Sequence, residues 1–290
     1  MTPIIDIPKI KIAFIGGGNM ATAMIGGLIR HQVQPNNLMA IDPLEVARDK
    51  LIATYGINVA ENISQAEKFL MTADLIIYAV KPQQLRQALT DWALLIDNTE
   101  TSALLKPSLI LSIVAGVQMQ DFSKHLGHER IIRAMPNTPA LISQGMTGLY
   151  SGKDTSENDK ALIEFVCSAT GDFIWVESET LIDAVTAVSG SGPAYIFQLI
   201  EHMQKAGVNL GLSPNQALKL SIKTIIGAAN LAQDSTDSPT VLREKVTSKG
   251  GTTYAALEVL RQNDWGRILE QAISAAHDRS QIMGQEFSKD

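Results

Sequence analysis

At 290 residues the chain is long enough for one large domain or two ordinary ones, with room for a substantial core. Its 45% hydrophobic and 19% charged residues are those of a soluble globular protein, and a net charge of −6 argues against nucleic acid as the main partner, since phosphate contact needs a basic surface. One cysteine excludes an internal disulfide, and the apolar setting "FVCSAT" predicts a buried, inert thiol at Cys167.

"MTPIIDIPKI" lacks the apolar core of a signal peptide, and no apolar stretch approaches the ~18 residues of a membrane span. A cytoplasmic protein is expected. Short runs rich in Ile and Val then follow at 11–16, 37–42, 74–80, 108–114 and 130–135. They barely alternate, as strands covered on both faces should. Segments such as "MATAMIGGLIRH" and "QQLRQALTDWALL" have helical spacing between them, which predicts a mostly parallel sheet with helices on both sides. "GMTGLY" and "DFIWVE" read as two further strands.

After about residue 180 the strand signal stops. "PAYIFQLIEHMQKAGVNLG", "SPNQALKLSIKTIIGAANLAQ", "TTYAALEVLRQ" and "WGRILEQAISAAHDRSQIM" read as helices, with Ser213-Pro214 as a start signal and Gly207 and Gly211 near a stop. The expected fold class is an N-terminal α/β doubly wound sheet over 1–180, followed by an all-α domain over 181–290. Several helices are apolar around much of their girth, among them the one carrying Ile222, Ile225, Ile226 and Leu231. That points to a subunit interface.

The motifs sharpen this. "FIGGGNMA" places Gly16-x-Gly18-x-x-Ala21 between a strand and a helix, the fingerprint of a Rossmann-type dinucleotide site. Gly16 permits the tight turn, Gly18 lets backbone approach a pyrophosphate, and the helix N-terminus offers its N–H groups to the anion. "YAVKP" (78–82) and "IVAGV" (113–117) end strands, so Val80, Lys81, Pro82, Ala115 and Gly116 either line a cofactor or are ordinary strand exits. "RAMPNTPA" holds Asn137 and Thr138 between prolines, either beside a nicotinamide or as a structural turn.

The usual acid–base groups are missing. Histidines 31, 125, 128, 202 and 277 have no metal spacing and read as surface residues, with no metal expected. Ser191 in "SGSGP" lacks the glycine two positions before it that a nucleophile elbow needs. "SGSGPA" (189–194) and "VTSKGGTT" (246–253) are small-residue loops ahead of helices, with Pro193 in the first turn of one and Thr252 or Thr253 capping the other. Both suit either tight helix packing or a carboxylate at a helix N-terminus, and the hydroxyls of the second favour the ligand.

Together, "FIGGGNMA", "AVKP", "VAG", "RAMPNTPA", "DAVTAVSGSGPAY" and "VTSKGGTT", in this order from Lys11 to Gln281, resemble the pyrroline-5-carboxylate reductase family. The resemblance implies hydride transfer from NADPH or NADH to the C=N carbon of Δ1-pyrroline-5-carboxylate, giving L-proline at the last step of proline biosynthesis. It places the substrate carboxylate at Ser248, Gly250, Gly251 and Thr252, the ring nitrogen at Thr253 as the catalytic contact, and Glu179 nearby. The implied cofactor residues are Gly16, Gly18, Asn19, Met20, Asp42, Asn62, Ala79, Val80, Lys81, Pro82, Ala115, Gly116 and Asn137. It also implies an intertwined dimer through the helical domain, assembled into a larger ring such as a decamer, without membrane or nucleic-acid partners.

Two departures stand out: Lys249 lies between Ser248 and the glycines, and Lys245 replaces an asparagine that contacts cofactor in some relatives. A β-hydroxyacid dehydrogenase is the competing enzyme, with Lys223 and Asn230 at a loosely similar place, and a dinucleotide sensor is the non-enzymatic alternative. The nicotinamide preference stays open. Asp42, at the end of the second strand, either faces the adenine ribose and favours NADH, or turns to cap "LEVARDKL" and leaves Arg48 to reach a phosphate. The resemblance leans to NADPH.

Overall fold

The computed structural model describes residues 9–96 and 108–289. The chain divides into two compact units, Met1–Gly190 with Ala276–Asp290, and Ser191–Ala275.

The first unit is built on one sheet of eight strands among the described residues: β1 (Ile12–Ile15), β2 (Leu38–Ile41), β3 (Asn58–Ala60), β4 (Leu75–Tyr78), β5 (Leu109–Ser112), β6 (Ile131–Met135), β7 (Gly145–Ser151) and β8 (Gly171–Trp175). Their order is β3-β2-β1-β4-β5-β6-β7-β8, with every pairing parallel except β6 with β7. The helices are α1 (Asn19–Arg30), α2 (Glu45–Tyr55), α3 (Glu67–Leu70), α4 (Pro82–Ile96), α5 (Met119–Leu126) and α6 (Glu157–Ser168).

Every residue of β1, β2, β4 and β5 is buried, which is why these runs show no polar alternation. Successive side chains still point to opposite faces. Phe14 packs in one core with Ile25, Leu28, Leu51 and Val166. Its neighbour Ile15 packs in the other with Tyr78, Leu89, Trp92 and Phe122. Cys167 lies in the first core, and burial pushes its thiol up to about 12. It is the inert thiol the sequence predicts.

Two expectations change in this unit. The edge strand β3 is three residues long and has no apolar run to announce it. The segment 189–194 is not a loop: Gly192 opens a helix, and Ser189 and Gly190 end a π-helical turn, Thr186–Gly190, that continues α7 (Leu181–Val185). Ile182, Thr186 and Ala187 are buried, so this stretch belongs to the first unit, whereas the sequence sets the boundary near 180.

The second unit contains α8 (Gly192–Asn209), α9 (Pro214–Asp234), α10 (Pro239–Lys245) and α11 (Thr252–Gln262), and most of the first half of α12 (Trp265–Lys289). Ser213 caps α9 in a reciprocal box with Gln216, and Pro214 takes the first turn, as the start signal predicts. Gly211, with φ +100°, follows the end of α8. Gly207 does not stop that helix but lies within it, where a Cβ would meet the Ala217 Cβ at 3.0 Å. Of the whole unit, only Ala217 and Ser221 are buried.

Candidate active site

The turn from β1 into α1 shows why glycine recurs there. Gly16 has φ +105°, and a Cβ on it would meet the Ala79 carbonyl oxygen at 2.8 Å. Its N–H donates to the Ile41 carbonyl at 2.8 Å and the Ala79 N–H donates to the Ile15 carbonyl at 2.8 Å, tying β1, β2 and β4 together at their carboxyl ends. Gly18 is the N-cap of α1, with no side chain capping the helix. A Cβ there would meet nothing within 4 Å, so the first N–H groups of α1 face open space. Ala21, fully buried, lets α1 lie close to the sheet.

That space belongs to a cavity of about 560 Å³. Gly16, Gly18, Asp42, Asn62, Ala79, Val80 and Lys81 line it, so seven of the thirteen implied cofactor residues come together here. Further lining comes from residues outside these motifs. Gln83, Gln87 and Asp91 lie along α4 four residues apart, one stripe of a helix leaving a strand exit. That spacing was readable. Pro43, Leu44 and Glu61 complete the rim, and nothing in their sequence marks them.

Asp42 combines the two courses open to it, lining the cavity and also holding the start of α2. Its Oδ2 accepts the Gly17 N–H at 2.7 Å and its Oδ1 accepts the Leu44 N–H at 2.9 Å. The carboxylate thus clamps the glycine turn to the start of α2 while remaining on the cavity wall. Arg48 Nη1 donates to the Asp42 carbonyl oxygen at 2.7 Å.

The other implied cofactor residues lie outside this cavity's lining. Asn19 is exposed in the first turn of α1, and Met20 packs on the core. Pro82 opens α4 and lines a separate small groove. Ala115 is half-buried, and Gly116, with φ +79°, is shaped by α12, since a Cβ would meet the Ser280 carbonyl oxygen at 3.1 Å and Gly284 N at 3.2 Å. Asn137 works as a latch: Nδ2 donates to Ser189 Oγ at 3.1 Å, and Oδ1 accepts the Met146 N–H at 2.9 Å.

Glu179 also has a structural job. Its Oε1 accepts from Arg133 Nη1 at 2.9 Å and from the Met119 N–H at the start of α5 at 2.7 Å. Arg133 is buried in β6, so Glu179 is the counter-charge of a buried guanidinium. His125 and His128 are half-buried, not surface residues: His125 Nδ1 lies 2.7 Å from the Asp121 carbonyl oxygen, and burial with the Arg130 charge lowers the pKa of His128. His277 is half-buried too.

In the second unit, Ser248–Gly251 forms a tight turn closed by the Gly251 N–H on the Ser248 carbonyl at 3.0 Å, with Gly250 at φ +76°. Gly251, not Thr252 or Thr253, is the N-cap of α11, and no side chain caps that helix. Its first N–H groups are therefore left for another partner, while Ser248, Thr252 and Thr253 are exposed around them. Lys245 is ion-paired with Asp237, which gives it a place within its own unit.

Comparison with known proteins bears on both units. Residues 11–116 match the family model described as NADP oxidoreductase, coenzyme F420-dependent, and residues 179–283 match that for pyrroline-5-carboxylate reductase dimerisation. A pyrroline-5-carboxylate reductase of Pseudomonas aeruginosa is 39% identical over 280 residues, covering 96% of this chain and 98% of that one. The chain belongs to the pyrroline-5-carboxylate reductase family. Among solved pyrroline-5-carboxylate reductases, that of Coxiella burnetii superposes with a TM-score of 0.83 at 34% identity, over 95% of this chain and 98% of that one. The Plasmodium falciparum pyrroline carboxylate reductase, solved with NADP bound, gives 0.82 at 28% identity, over 96% and 99%. The doubly wound sheet followed by a helical part is thus the architecture of pyrroline-5-carboxylate reductases.

Proposed function

We propose that this chain is a pyrroline-5-carboxylate reductase that uses NAD(P)H to reduce the C=N bond of Δ1-pyrroline-5-carboxylate to L-proline, the last step of proline biosynthesis. The observation that carries the reading is the uncapped N-terminus of α1 opening at Gly18 onto a cavity at the ends of β1, β2 and β4, in a chain that belongs to this family. The residues fit a dinucleotide: the open space at Gly18 admits a pyrophosphate to the free N–H groups, and the cavity volume admits the adenosine half.

The bound nicotinamide supplies the hydride. The chain has to hold the two reactants and keep water away. A cyclic imine can arrive already protonated, so no side chain is assigned to proton transfer. The uncapped N–H groups of α11, with Ser248, Gly250, Gly251 and Thr252, take the substrate carboxylate, and the Thr253 hydroxyl orients the ring nitrogen. Glu179 acts on the site through Arg133 and the start of α5 instead of through the substrate.

The functional protein is a homo-oligomer, and we assign 191–275 as the dimerisation and substrate-binding region, in an intertwined dimer assembled into a ring such as a decamer. The reading is supported by a unit of several helices with two buried residues, too few for a core of its own. Among the described residues no helix is long and apolar enough to cross a membrane, and the cytoplasm is the proposed compartment. Incubation with the imine and each reduced nicotinamide, following absorbance and proline, tests the activity. No proline from either would refute it.

A further inference from the structure

Resting on that reading, we infer that this chain takes NAD(H) in preference to NADP(H), and that the Asp42 carboxylate is the discriminating group. The two nucleotides differ by one phosphate on the adenine ribose, which carries between one and two negative charges near pH 7. In a sheet of this order, the acidic residue at the end of β2 stands where the ribose hydroxyls lie.

Asp42 cannot easily leave that place. Swinging away would break the bonds that its two oxygens accept from the Gly17 and Leu44 N–H groups at 2.7 and 2.9 Å. Each oxygen accepts one of these bonds and keeps capacity for another, so a sugar hydroxyl has an acceptor waiting. A phosphate brings only acceptors and charge of the same sign.

The rest of the wall points the same way. Glu61 and Asp91 line the same cavity, and Lys81 is the one cation among its described lining residues. Arg48 Nη1 donates to the Asp42 carbonyl oxygen at 2.7 Å, and Arg48 is absent from the lining. With three carboxylates and one ammonium among its lining residues, the cavity disfavours an added phosphate by repulsion, and the half-enclosed setting preserves that repulsion against screening.

Calorimetric titration of the purified protein with NAD+ and with NADP+, without substrate, tests this. NAD+ should bind about tenfold tighter or more, and the ratio should shrink as salt is raised. Asp42→Ser should bring the ratio toward one, chiefly by gaining NADP+ affinity. Glu61→Gln, an exposed position with no fold to upset, should move it the same way by less. Equal or tighter NADP+ binding by the wild type would overturn the inference, as would a ratio that neither substitution changes. If neither nucleotide bound, the dinucleotide reading would fall and this inference with it.

Discussion

At Gly18, the open space that would leave a Cβ without neighbours is also the space in front of the first N–H groups of α1. Gly18→Val should therefore fold normally and lose dinucleotide affinity, because its methyl groups would stand where a pyrophosphate must sit. Calorimetry beside a thermal melt separates the two effects, and wild-type affinity would move the nucleotide elsewhere. Thr253→Val should lower kcat/KM for the imine roughly tenfold to a hundredfold while nucleotide affinity holds, as expected for one lost orienting hydrogen bond. Unchanged kcat/KM would remove Thr253 from the mechanism. Glu179→Ala should behave differently from both, costing about 3–5 kcal/mol of stability, because it strands the buried Arg133 charge. Chemical denaturation reads that loss directly. The glycines were legible because only glycine meets the backbone demand at 16, and because the fingerprint leaves position 18 open for a pyrophosphate. The bonds of Glu179 to Met119 and Arg133 were not legible, because these partners are distant in sequence and only the packing of β6 and α5 brings them to it.

Helices and strands were legible where their length or caps made them so. The buried strands announced themselves as short aliphatic runs, and Ser213-Pro214 marked the start of α9. The strand β3 did not, since three residues on a sheet edge need only backbone pairing with β2. The small residues from Ser189 on suggest a loop, but serine and glycine also serve close packing: a Cβ on Gly190 would meet the Met135 Cε at 2.6 Å. Close packing also governs the last turns of α12. A Cβ on Gly284 would meet the Gly116 carbonyl oxygen at 2.4 Å, and Ser280 and Ser288 donate to Asp183 and Asp121 on either side. Gly284→Val should destabilise the protein by about 1–3 kcal/mol, read as a lower Tm, because rigid backbone cannot yield. At the start of α6, Ser156 and Asp159 form a reciprocal cap, with Arg130 on the same carboxylate. Burial alone would raise the Asp159 carboxyl, but the bonds from Arg130 and Ser156 outweigh it and hold it below the usual carboxylate range. A folded-state pKa below the unfolded one gives stability that is present above the unfolded value and lost as pH falls through the folded one. Asp159→Asn should lower stability at neutral pH and flatten the acid limb of a pH–stability curve.

For the molecule as a whole, the second unit sets the terms. Phe197 is 65% exposed, Leu231 69% and Leu210 87%, on helices that bury almost nothing within one chain. In a monomer Phe197→Glu would improve solubility. In the proposed dimer it places a charge in an interface and should yield dissociated or insoluble protein, which light scattering on both forms distinguishes. The apolar girth of these helices was readable, but the sequence does not say which faces meet.

Two buried residues in the second unit also bear on how a new chain reaches its working form. If its interior is supplied by another copy, the final step is second order, and its half-time lengthens as expression falls. Dilution then becomes a denaturant: below the dissociation constant the helical half loses its interior while the eight-stranded half, with its own two cores, persists.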